Sequence, residues 1–330
     1  MLSLEPRKFS HPITYSDKIL LVGSCFTEHI GNALHRLKFS ILQNPNGILF
    51  DPRSVCSCLI SYIQNEPYKQ EQLFQYQELW HSWQHHSRFS GNNATQVISN
   101  INNTRQEAHD FLKMADYIII TLGSSFSYQL NESVMPAFRG DSISVANCHR
   151  APAQWFNKHL LTIEEMNAMF EECYAQLLKL NANLKLIFTI SPVRHSRDGL
   201  AENNRSKARL IEVVNLWCDR YKNLYYFPAY ELVIDVLRDY RFYDVDLVHP
   251  NYLATEYVME KFIGSCIDKE TIQLMDQIKK IVIARKHRPF QPNTSAHRDF
   301  LASNLEAVKT LQDKYPYIDF TEEINYFTPP

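Results

Sequence analysis

The amino-acid sequence predicts an α/β fold in which helices cover both faces of a parallel sheet. Short apolar runs typical of buried parallel strands alternate with amphipathic helical stretches over residues 18–267. The chain of 330 residues is 45% hydrophobic and 12% aromatic but contains only 8 glycines, which favours a mixed α/β domain over a glycine-rich all-β repeat. A hydrophobic fraction of this size can form a packed core, so the composition excludes a mainly disordered chain.

The first predicted unit is a strand, a tight turn and a helix. The apolar run at residues 18–23 stops at a glycine, as a buried strand does before a turn. Phe26, Ile30, Leu34 and Leu37 then recur at helical spacing. The residues between the two elements therefore lie at the junction of a strand and a helix.

The same criteria predict the other elements. Asp51 before Pro52, and Thr162 three residues before Glu165, are typical helix starts. Residues 73–86 alternate in polarity, which predicts an inserted strand or hairpin. The other predicted strands are residues 39–42, 116–122, 184–190 and 224–227, and the helices are residues 52–63, 94–114, 162–180, 201–221 and 252–267.

Two parts of the chain differ in pattern. Residues 1–267 are predicted to form the α/β domain, because every strand signal lies within them. Residues 268–330 contain helical stretches at 270–286 and 297–314 and no strand signal, so we expect a helical C-terminal extension.

The charge balance, the apolar runs and the cysteines exclude several classes of protein. A net charge of −2 provides no long-range field for nucleic acid, so we expect no DNA or RNA partner. The longest apolar runs are far shorter than the roughly 20 residues that span a bilayer, so we expect no membrane partner. The N-terminal segment lacks an export-signal pattern and the 7 cysteines are scattered, which predicts a cytoplasmic protein with reduced thiols.

The carboxyl end of the first predicted strand carries a hydroxyl and a thiol. Ligands of open α/β sheets bind at the carboxyl ends of strands, and Ser24 and Cys25 follow such an end. The first amides of the following helix stabilise an anion, lower the pKa of a thiol that faces them, and can bind an oxyanion. The alternative is structural: Ser24 caps the helix and Cys25 is a buried core residue.

A carboxylate and an imidazole precede the last core helix. Asp246 lies three residues before His249, and in a turn this spacing lets Asp246 accept a hydrogen bond from one ring nitrogen. The other nitrogen is then free to act as the base for a nucleophile. Asp244 is the alternative partner, and Pro250 fixes the backbone after His249.

Several motifs in order resemble a known family. Over residues 15–265 the chain is similar to the SGNH/GDSL hydrolase superfamily, and more narrowly to the GSCFA family. The motifs are GSCF at Gly23–Phe26, NPNGILF at 44–50, SPVRH at 191–195, RDYRFY at 238–243 and DLVHP at 246–250. This resemblance implies a flavodoxin-like three-layer α/β/α sandwich of the SGNH hydrolase type, with a parallel central sheet.

The resemblance also implies roles for individual residues. The superfamily nucleophile falls on Cys25, or on Ser24 if the motif shifts by one residue, and Asp246 and His249 match its D-x-x-H motif. A thiolate paired with an imidazole is a competent acyl acceptor. The oxyanion glycine is placed on Gly47.

The superfamily's G-x-N-D motif is only partly present. Its glycine falls on Gly123, and its asparagine, an oxyanion donor, is missing. Ser125, or Asn44 from the neighbouring loop, is expected to donate instead, and Asn46 or Asn44 is expected close to Gly47. Losing one such donor costs about 10²–10³ in rate.

Three further residues are expected to line the same cleft. His149, Arg150 and Arg194 are placed there, with either arginine holding an anionic group of the substrate. The alternative is a structured loop without a role in binding. His81, His85 and His86 lie near Trp80 and Trp83, and an aromatic wall at the cleft mouth is favoured over a metal site.

These residues predict an acyl-transfer enzyme, either an esterase or an O-acyltransferase, acting on a small acylated or carbohydrate-type substrate. No metal and no organic cofactor is implied. Two alternatives stay open: a non-catalytic ligand-binding protein that retains the fold, and an interaction scaffold that uses the C-terminal helices. Self-association into a homo-oligomer also stays open.

Overall fold

A computed structural model describes residues 3–134 and 144–328 of the chain. Its strands are β1 (Lys18–Gly23), β2 (Ser40–Gln43), β3 (Phe74–Tyr76), β4 (Leu79–His81), β5 (Tyr117–Leu122), β6 (Phe126–Leu130), β7 (Ser144–Val145), β8 (Phe156–Leu160), β9 (Lys185–Ile190) and β10 (Leu224–Phe227). Its helices are α1 (Cys25–Arg36), α2 (Pro52–Gln64), α3 (Ala94–Met114), α4 (Ile163–Leu180), α5 (Leu200–Arg220), α6 (Ala229–Glu231), α7 (Tyr252–Cys266), α8 (Lys269–Arg285), α9 (Ser295–Lys314) and α10 (Thr321–Phe327). A π-helical segment, Leu232–Leu237, continues α6.

The predicted α/β fold is confirmed. Five parallel strands form the central sheet in the order β10-β9-β5-β1-β2. Numbered along the chain, these strands have the order 2-1-3-4-5, which is the flavodoxin-like order of the doubly wound fold. The order reverses between β1 and β5, so a ligand crevice is expected at their carboxyl ends.

Alternate residues of the strands face two separate cores. Ile19 and Leu21 of β1 belong to the core on the side of α1 and α7. Leu20 and Val22 belong to the core on the side of α2, α4 and α5. A strand buried on both faces reads as a continuous apolar run, which is why the sequence identifies β1, β5 and β9.

The predicted helix starts and the inserted hairpin are also found. Asp51 accepts a hydrogen bond from the Ser54 amide at the start of α2, and Thr162 and Glu165 form a capping box at the start of α4. β3 and β4 pair antiparallel within residues 73–86.

A second antiparallel sheet was not predicted. β6 pairs with β7 and β8. The residues of β8 are mostly exposed and polar, and β6 does not alternate in burial. Neither strand therefore carries the apolar pattern on which a sequence prediction depends.

The C-terminal helices pack on the α/β body. Ile278 of α8, Val308 of α9 and Phe327 of α10 share one hydrophobic core with Ile13 and Phe262. The Asp268 amide donates to the Ile13 carbonyl oxygen at 2.9 Å where α8 begins. Residues 268–328 thus extend the core on the side of α1 and α7. The division of the chain into a domain of residues 1–267 and a C-terminal extension stays a prediction. Within the described part of the chain, no helix is long and apolar enough to cross a bilayer.

Candidate active site at the carboxyl ends of the central strands

Ser24 and Cys25 lie at the point where the strand order reverses. The Ser24 amide donates to the Thr121 carbonyl oxygen at 3.0 Å, which joins the end of β1 to the end of β5. A Cβ atom at Gly123 would lie 3.4 Å from Ser24 Cβ and 3.3 Å from His195 Nε2, so both side chains border the Gly123 backbone. The loops after β1, β5 and β9 therefore meet at one crevice.

The two candidate nucleophiles differ in accessibility. Ser24 is 1% exposed, makes no capping hydrogen bond to α1, and has no partner for its hydroxyl among the described residues. Cys25 is half-buried and is the first residue of α1. Burial raises the pKa of the Cys25 thiol, while the amides of Phe26 and Cys25 itself oppose this rise. Of the two side chains, that of Cys25 is thus the more accessible to solvent.

Asp246 and His249 form an exposed hydrogen-bonded pair. Asp246 Oδ2 lies 2.6 Å from His249 Nδ1, and the two side chains are 48% and 46% exposed. The amides of Val248 and His249 donate to Asp246 Oδ1 at 2.9 and 3.0 Å. The hydrogen bonds from His249 and Val248 lower the pKa of Asp246 to about 2. The carboxylate therefore fixes the orientation of the imidazole ring and leaves Nε2 available.

Arg194 holds this loop in place. Its guanidinium donates to the Leu247 carbonyl oxygen at 3.0 Å and lies 4.2 Å from the centre of the Tyr243 ring. Its amide donates to the Val248 carbonyl oxygen at 3.3 Å. These contacts position the His249 loop, and the binding of an anionic substrate group by Arg194 stays a prediction.

The pKa values of two other histidines, His29 within α1 and His195 after β9, respond to the charge of His249. Burial lowers the pKa of His29, and the charge of His249 contributes to this shift. Burial also lowers the pKa of His195 to about 4, with smaller contributions from Lys207 and His249. The charge of His249 therefore acts on one histidine of α1 and on one that follows β9. Among the described residues, however, it forms no hydrogen bond to Ser24 or Cys25.

Asn44 has a side-chain donor without a partner among the described residues, whereas the backbone amide of Gly47 is already bonded. Asn44 Oδ1 accepts a hydrogen bond of 2.9 Å from the Gly23 amide, and its buried Nδ2 has no partner among the described residues. The Gly47 amide donates to the Asn44 carbonyl oxygen at 2.7 Å. The proposed donor role of the Gly47 amide is corrected here, because the turn at residues 44–47 already uses that N–H. Asn46 is bonded to Tyr62 at 3.0 and 3.1 Å.

Ser125 points away from the crevice. Its hydroxyl donates to the Ser206 carbonyl oxygen at 3.1 Å, and its amide donates to Ser206 Oγ at 2.7 Å. The expected donation from Ser125 to an oxyanion is therefore not available, since the side chain ties β5 to α5. The amide of Gly123 donates to the Phe50 carbonyl oxygen at 2.7 Å and its carbonyl oxygen accepts from Lys207, so both backbone groups of Gly123 are bonded within the protein.

His149 and Arg150 are not brought to the crevice. His149 is buried in an aromatic cluster beneath the β3–β4 hairpin, with Nε2 2.8 Å from the Ser82 carbonyl oxygen and its ring 6.0 Å from that of Trp83. Arg150 is exposed with a φ of 59°. The position of His149 was not predictable from the sequence, because its partner Ser82 lies 67 positions away along the chain.

Sequence reasoning missed Lys207. It lies on α5, its side chain is 1% exposed, and its Nζ donates to the carbonyl oxygens of Gly123 and Ser191, both at 2.6 Å. The helical spacing does place Lys207 on the buried face of α5. That face consists of Asn203, Ser206, Lys207 and Leu210.

The described residues contain no group of three or more His, Cys, Asp or Glu side chains that could hold a metal ion. The absence of a metal and of an organic cofactor stays a prediction.

Two family models match the chain. The model of the GSCFA family matches residues 18–262, and the model described as "GSCFA domain protein, C-terminal domain" matches residues 278–328. Among solved structures, the chain is similar to a Clostridium thermocellum family 3 carbohydrate esterase, with 11% identity over 79% of this chain and 97% of that chain and a TM-score of 0.31. No curated protein matches the sequence.

Proposed function

The chain belongs to the GSCFA family, and we propose that it is a hydrolase-like acyl-transfer enzyme in which Cys25 is the nucleophile and His249 the base. The reaction would be that of an esterase or an O-acyltransferase on a small acylated or carbohydrate-type substrate. The observation that carries the proposal is the 2.6 Å hydrogen bond between Asp246 and His249. Both residues lie on the segment that leads into α7, and α7 packs in the same core as α1. Kinship with the SGNH superfamily remains part of this proposal.

The first half of the reaction uses the half-buried thiol. His249 Nε2 takes the proton from Cys25 Sγ, and the sulfur attacks the acyl carbonyl carbon. The resulting oxyanion accepts hydrogen bonds from the Cys25 amide, one of the amides at the start of α1 that has no helical partner, and from Asn44 Nδ2. The tetrahedral intermediate collapses to a thioester, and the alkoxide leaves with the proton from His249 Nε2.

The second half releases the acyl group. His249 removes a proton from water, or from the hydroxyl of an acceptor, and the oxygen attacks the thioester carbonyl. The thiolate leaves and regains the proton from His249, which returns the free enzyme. Asp246 keeps its negative charge throughout and holds the ring in the productive tautomer.

Short-chain p-nitrophenyl esters test this proposal. We expect turnover by the native chain and a fall in kcat/KM of about 10²–10⁴ in Cys25→Ala, His249→Ala and Asp246→Asn. The matched control is His159→Ala. His159 lies on β8, and its Nε2 is 2.8 Å from Glu165 Oε2, so the two side chains form a pair that is about as exposed as Asp246 and His249. Turnover that survives in His249→Ala, or that is lost equally in His159→Ala, would contradict the proposal.

One observation favours a second candidate, a non-catalytic ligand-binding protein with the same fold. Within the described residues, no hydrogen bond links His249 to Cys25. This candidate predicts no turnover of esters and no labelling of Cys25 by an acylating probe. It also predicts that a bound small molecule raises the melting temperature.

A further inference from the structure

A groove of about 150 Å³ lies between α1 and α7 and is called here the α1–α7 groove. Its floor is apolar, with Phe26, Ile30 and Ala33 from α1 and Met259 from α7. All four side chains are buried and belong to the core on the side of these two helices. A cavity of this volume holds one small ring. The groove is therefore a site for a ring-sized group.

The α1–α7 groove begins one helical turn from the candidate nucleophile. His29 lines the groove and lies four residues after Cys25 on α1, so the two side chains are neighbours on one face of the helix. Tyr252 lines the groove from α7 and lies three residues after His249, which is at most about 11 Å of chain. A ligand in the groove therefore lies within reach of both candidate catalytic residues.

The rim of the groove is polar, and its side chains are free to bind a ligand. His29, Asn32 and Arg36 on α1 and Glu256 on α7 line the groove and are exposed. None of the four forms a hydrogen bond or an ion pair with another of the described residues. Together they offer both donors and acceptors of hydrogen bonds. An apolar acyl chain in the groove would desolvate these groups without giving them partners, which costs free energy.

The charges of the rim cancel. Arg36 contributes one positive charge and Glu256 one negative charge. Burial lowers the pKa of His29, so its imidazole is neutral at pH 7. This balance favours a neutral ligand over an anion or a cation.

Tyr252 adds an aromatic face beside the groove. Its side chain is 69% exposed, so the ring is accessible to a ligand. The apolar face of a saturated ring can pack against such an aromatic ring. A neutral ring with C–H groups on its face and hydroxyl groups on its edge therefore matches the aromatic side chain, the apolar floor and the polar rim together.

We propose that the α1–α7 groove binds one sugar ring, which is the alcohol part of the ester on which the enzyme acts. The role as a substrate site rests on the proposed function, but the binding of the ring does not. In that reaction the bond between the acyl carbon and the sugar oxygen breaks. The sugar oxygen leaves with the proton that His249 Nε2 took from Cys25 Sγ, and the acyl group stays on the sulfur.

Ligand-observed saturation-transfer NMR tests the binding without turnover. The probes are the methyl glycosides of glucose, galactose, mannose and xylose, with cyclohexanol as a mainly apolar ring of similar size. We expect at least one glycoside to bind, and to bind more tightly than cyclohexanol. Its dissociation constant should rise about fivefold or more in Glu256→Ala, which removes an acceptor, and in Tyr252→Ala, which removes the aromatic face.

The matched controls are Glu260→Ala and Tyr317→Ala. Glu260 lies one turn further along α7 and Tyr317 lies between α9 and α10; both are exposed, and neither lines the groove. Because all four substituted side chains are exposed, we expect every variant to fold. Binding of none of the glycosides, tighter binding of cyclohexanol than of every glycoside, or equal weakening in the controls would overturn the inference.

A second measurement connects the groove to turnover. The specificity ratio is kcat/KM for the acetylated form of the bound glycoside divided by kcat/KM for p-nitrophenyl acetate. This ratio should fall about fivefold in Glu256→Ala and stay the same in Glu260→Ala. An unchanged ratio in Glu256→Ala would overturn the role of the groove as a substrate site.

The outcomes separate the two proposals. Binding of a glycoside by a chain that hydrolyses no ester would contradict only the proposed function. Ester turnover by a chain that binds none of the glycosides would contradict only the sugar site.

Discussion

The backbone of Gly23 lies directly against the backbone of Thr121. A Cβ atom at Gly23 would lie 2.8 Å from the Thr121 nitrogen and closer still to its carbonyl oxygen, and the φ angle of Gly23 is +145°. The close approach brings the ends of β1 and β5 together where the strand order reverses. The crevice that contains Ser24 and Cys25 therefore depends on glycine at this position.

Gly23→Ala is expected to destabilise the protein by about 2–4 kcal/mol, because it combines overlap with Thr121 and a strained φ. Urea denaturation followed by circular dichroism measures the change in the free energy of unfolding. The matched control is Gly264→Ala, since Gly264 is exposed in α7 and a Cβ atom there would contact nothing within 4 Å. That substitution should stabilise by about 0.5–1 kcal/mol. Equal effects of the two substitutions would contradict the close-approach argument.

A buried carboxylate fastens α10 to the α/β body. Glu323 is fully buried, with Lys38 Nζ 2.6 Å from its Oε2 and Arg285 Nε 3.3 Å from its Oε1. Lys38 lies in the turn between α1 and β2, so the pair crosses from residues 268–328 to the sheet domain. Glu323→Gln is expected to cost about 2–4 kcal/mol in the free energy of unfolding, because it leaves two cations without their buried partner.

The neighbouring residue provides the control for this prediction. Glu322 contacts the same two cations, but its side chain is 63% exposed. Glu322→Gln should change the free energy of unfolding by no more than about 1 kcal/mol. If the two substitutions have the same effect in urea denaturation, the buried pair does not fasten α10.

His85 makes the stability of the protein depend on pH. Burial, with contributions from Arg105 and His149, lowers the pKa of His85 from 6.5 to about 3. Between these two values the unfolded chain binds a proton that the folded chain excludes, so stability falls as the pH falls. Each such histidine contributes a slope of about 1.4 kcal/mol per pH unit over its window.

His85→Gln should therefore reduce the dependence of the free energy of unfolding on pH between pH 6 and pH 4. Urea denaturation at several pH values measures this slope. The glutamine amide can still bond to the hydroxyl of Ser82, which lies 2.7 Å from His85 Nδ1. A reduction of the same size in His35→Gln, a substitution of an exposed histidine, would contradict the assignment.

Much of the fold was predictable because the main strands are buried on both faces. The runs at β1, β5 and β9 are almost entirely apolar, with Thr121 and Thr189 as the polar residues in their interiors. Their length and the turn signals that follow them were sufficient to identify them. The capping residues Asp51 and Thr162 fixed the starts of two helices. β6 to β8 could not be found, because a small, partly exposed sheet has no continuous apolar face.

The candidate site was predictable only where its contacts are local. The pair of Asp246 and His249 depends on a spacing of three residues, which a sequence displays directly. The expected donor role of the Gly47 amide was wrong, because this amide donates to the Asn44 carbonyl oxygen. That hydrogen bond depends on the geometry of the turn, which the sequence does not display. Lys207 reaches Gly123 across more than eighty positions of the chain, and only the folded sheet shows that contact.

The most direct test of the central claim is the location of the acyl group during turnover. The native chain is mixed with p-nitrophenyl acetate, quenched in acid within the first turnovers, digested and examined by mass spectrometry. We expect an acetyl group on Cys25, released by hydroxylamine as a thioester is, and absent in Cys25→Ala. An acetyl group on Ser24 in the native chain, or ester turnover that persists in Cys25→Ala, would contradict the account.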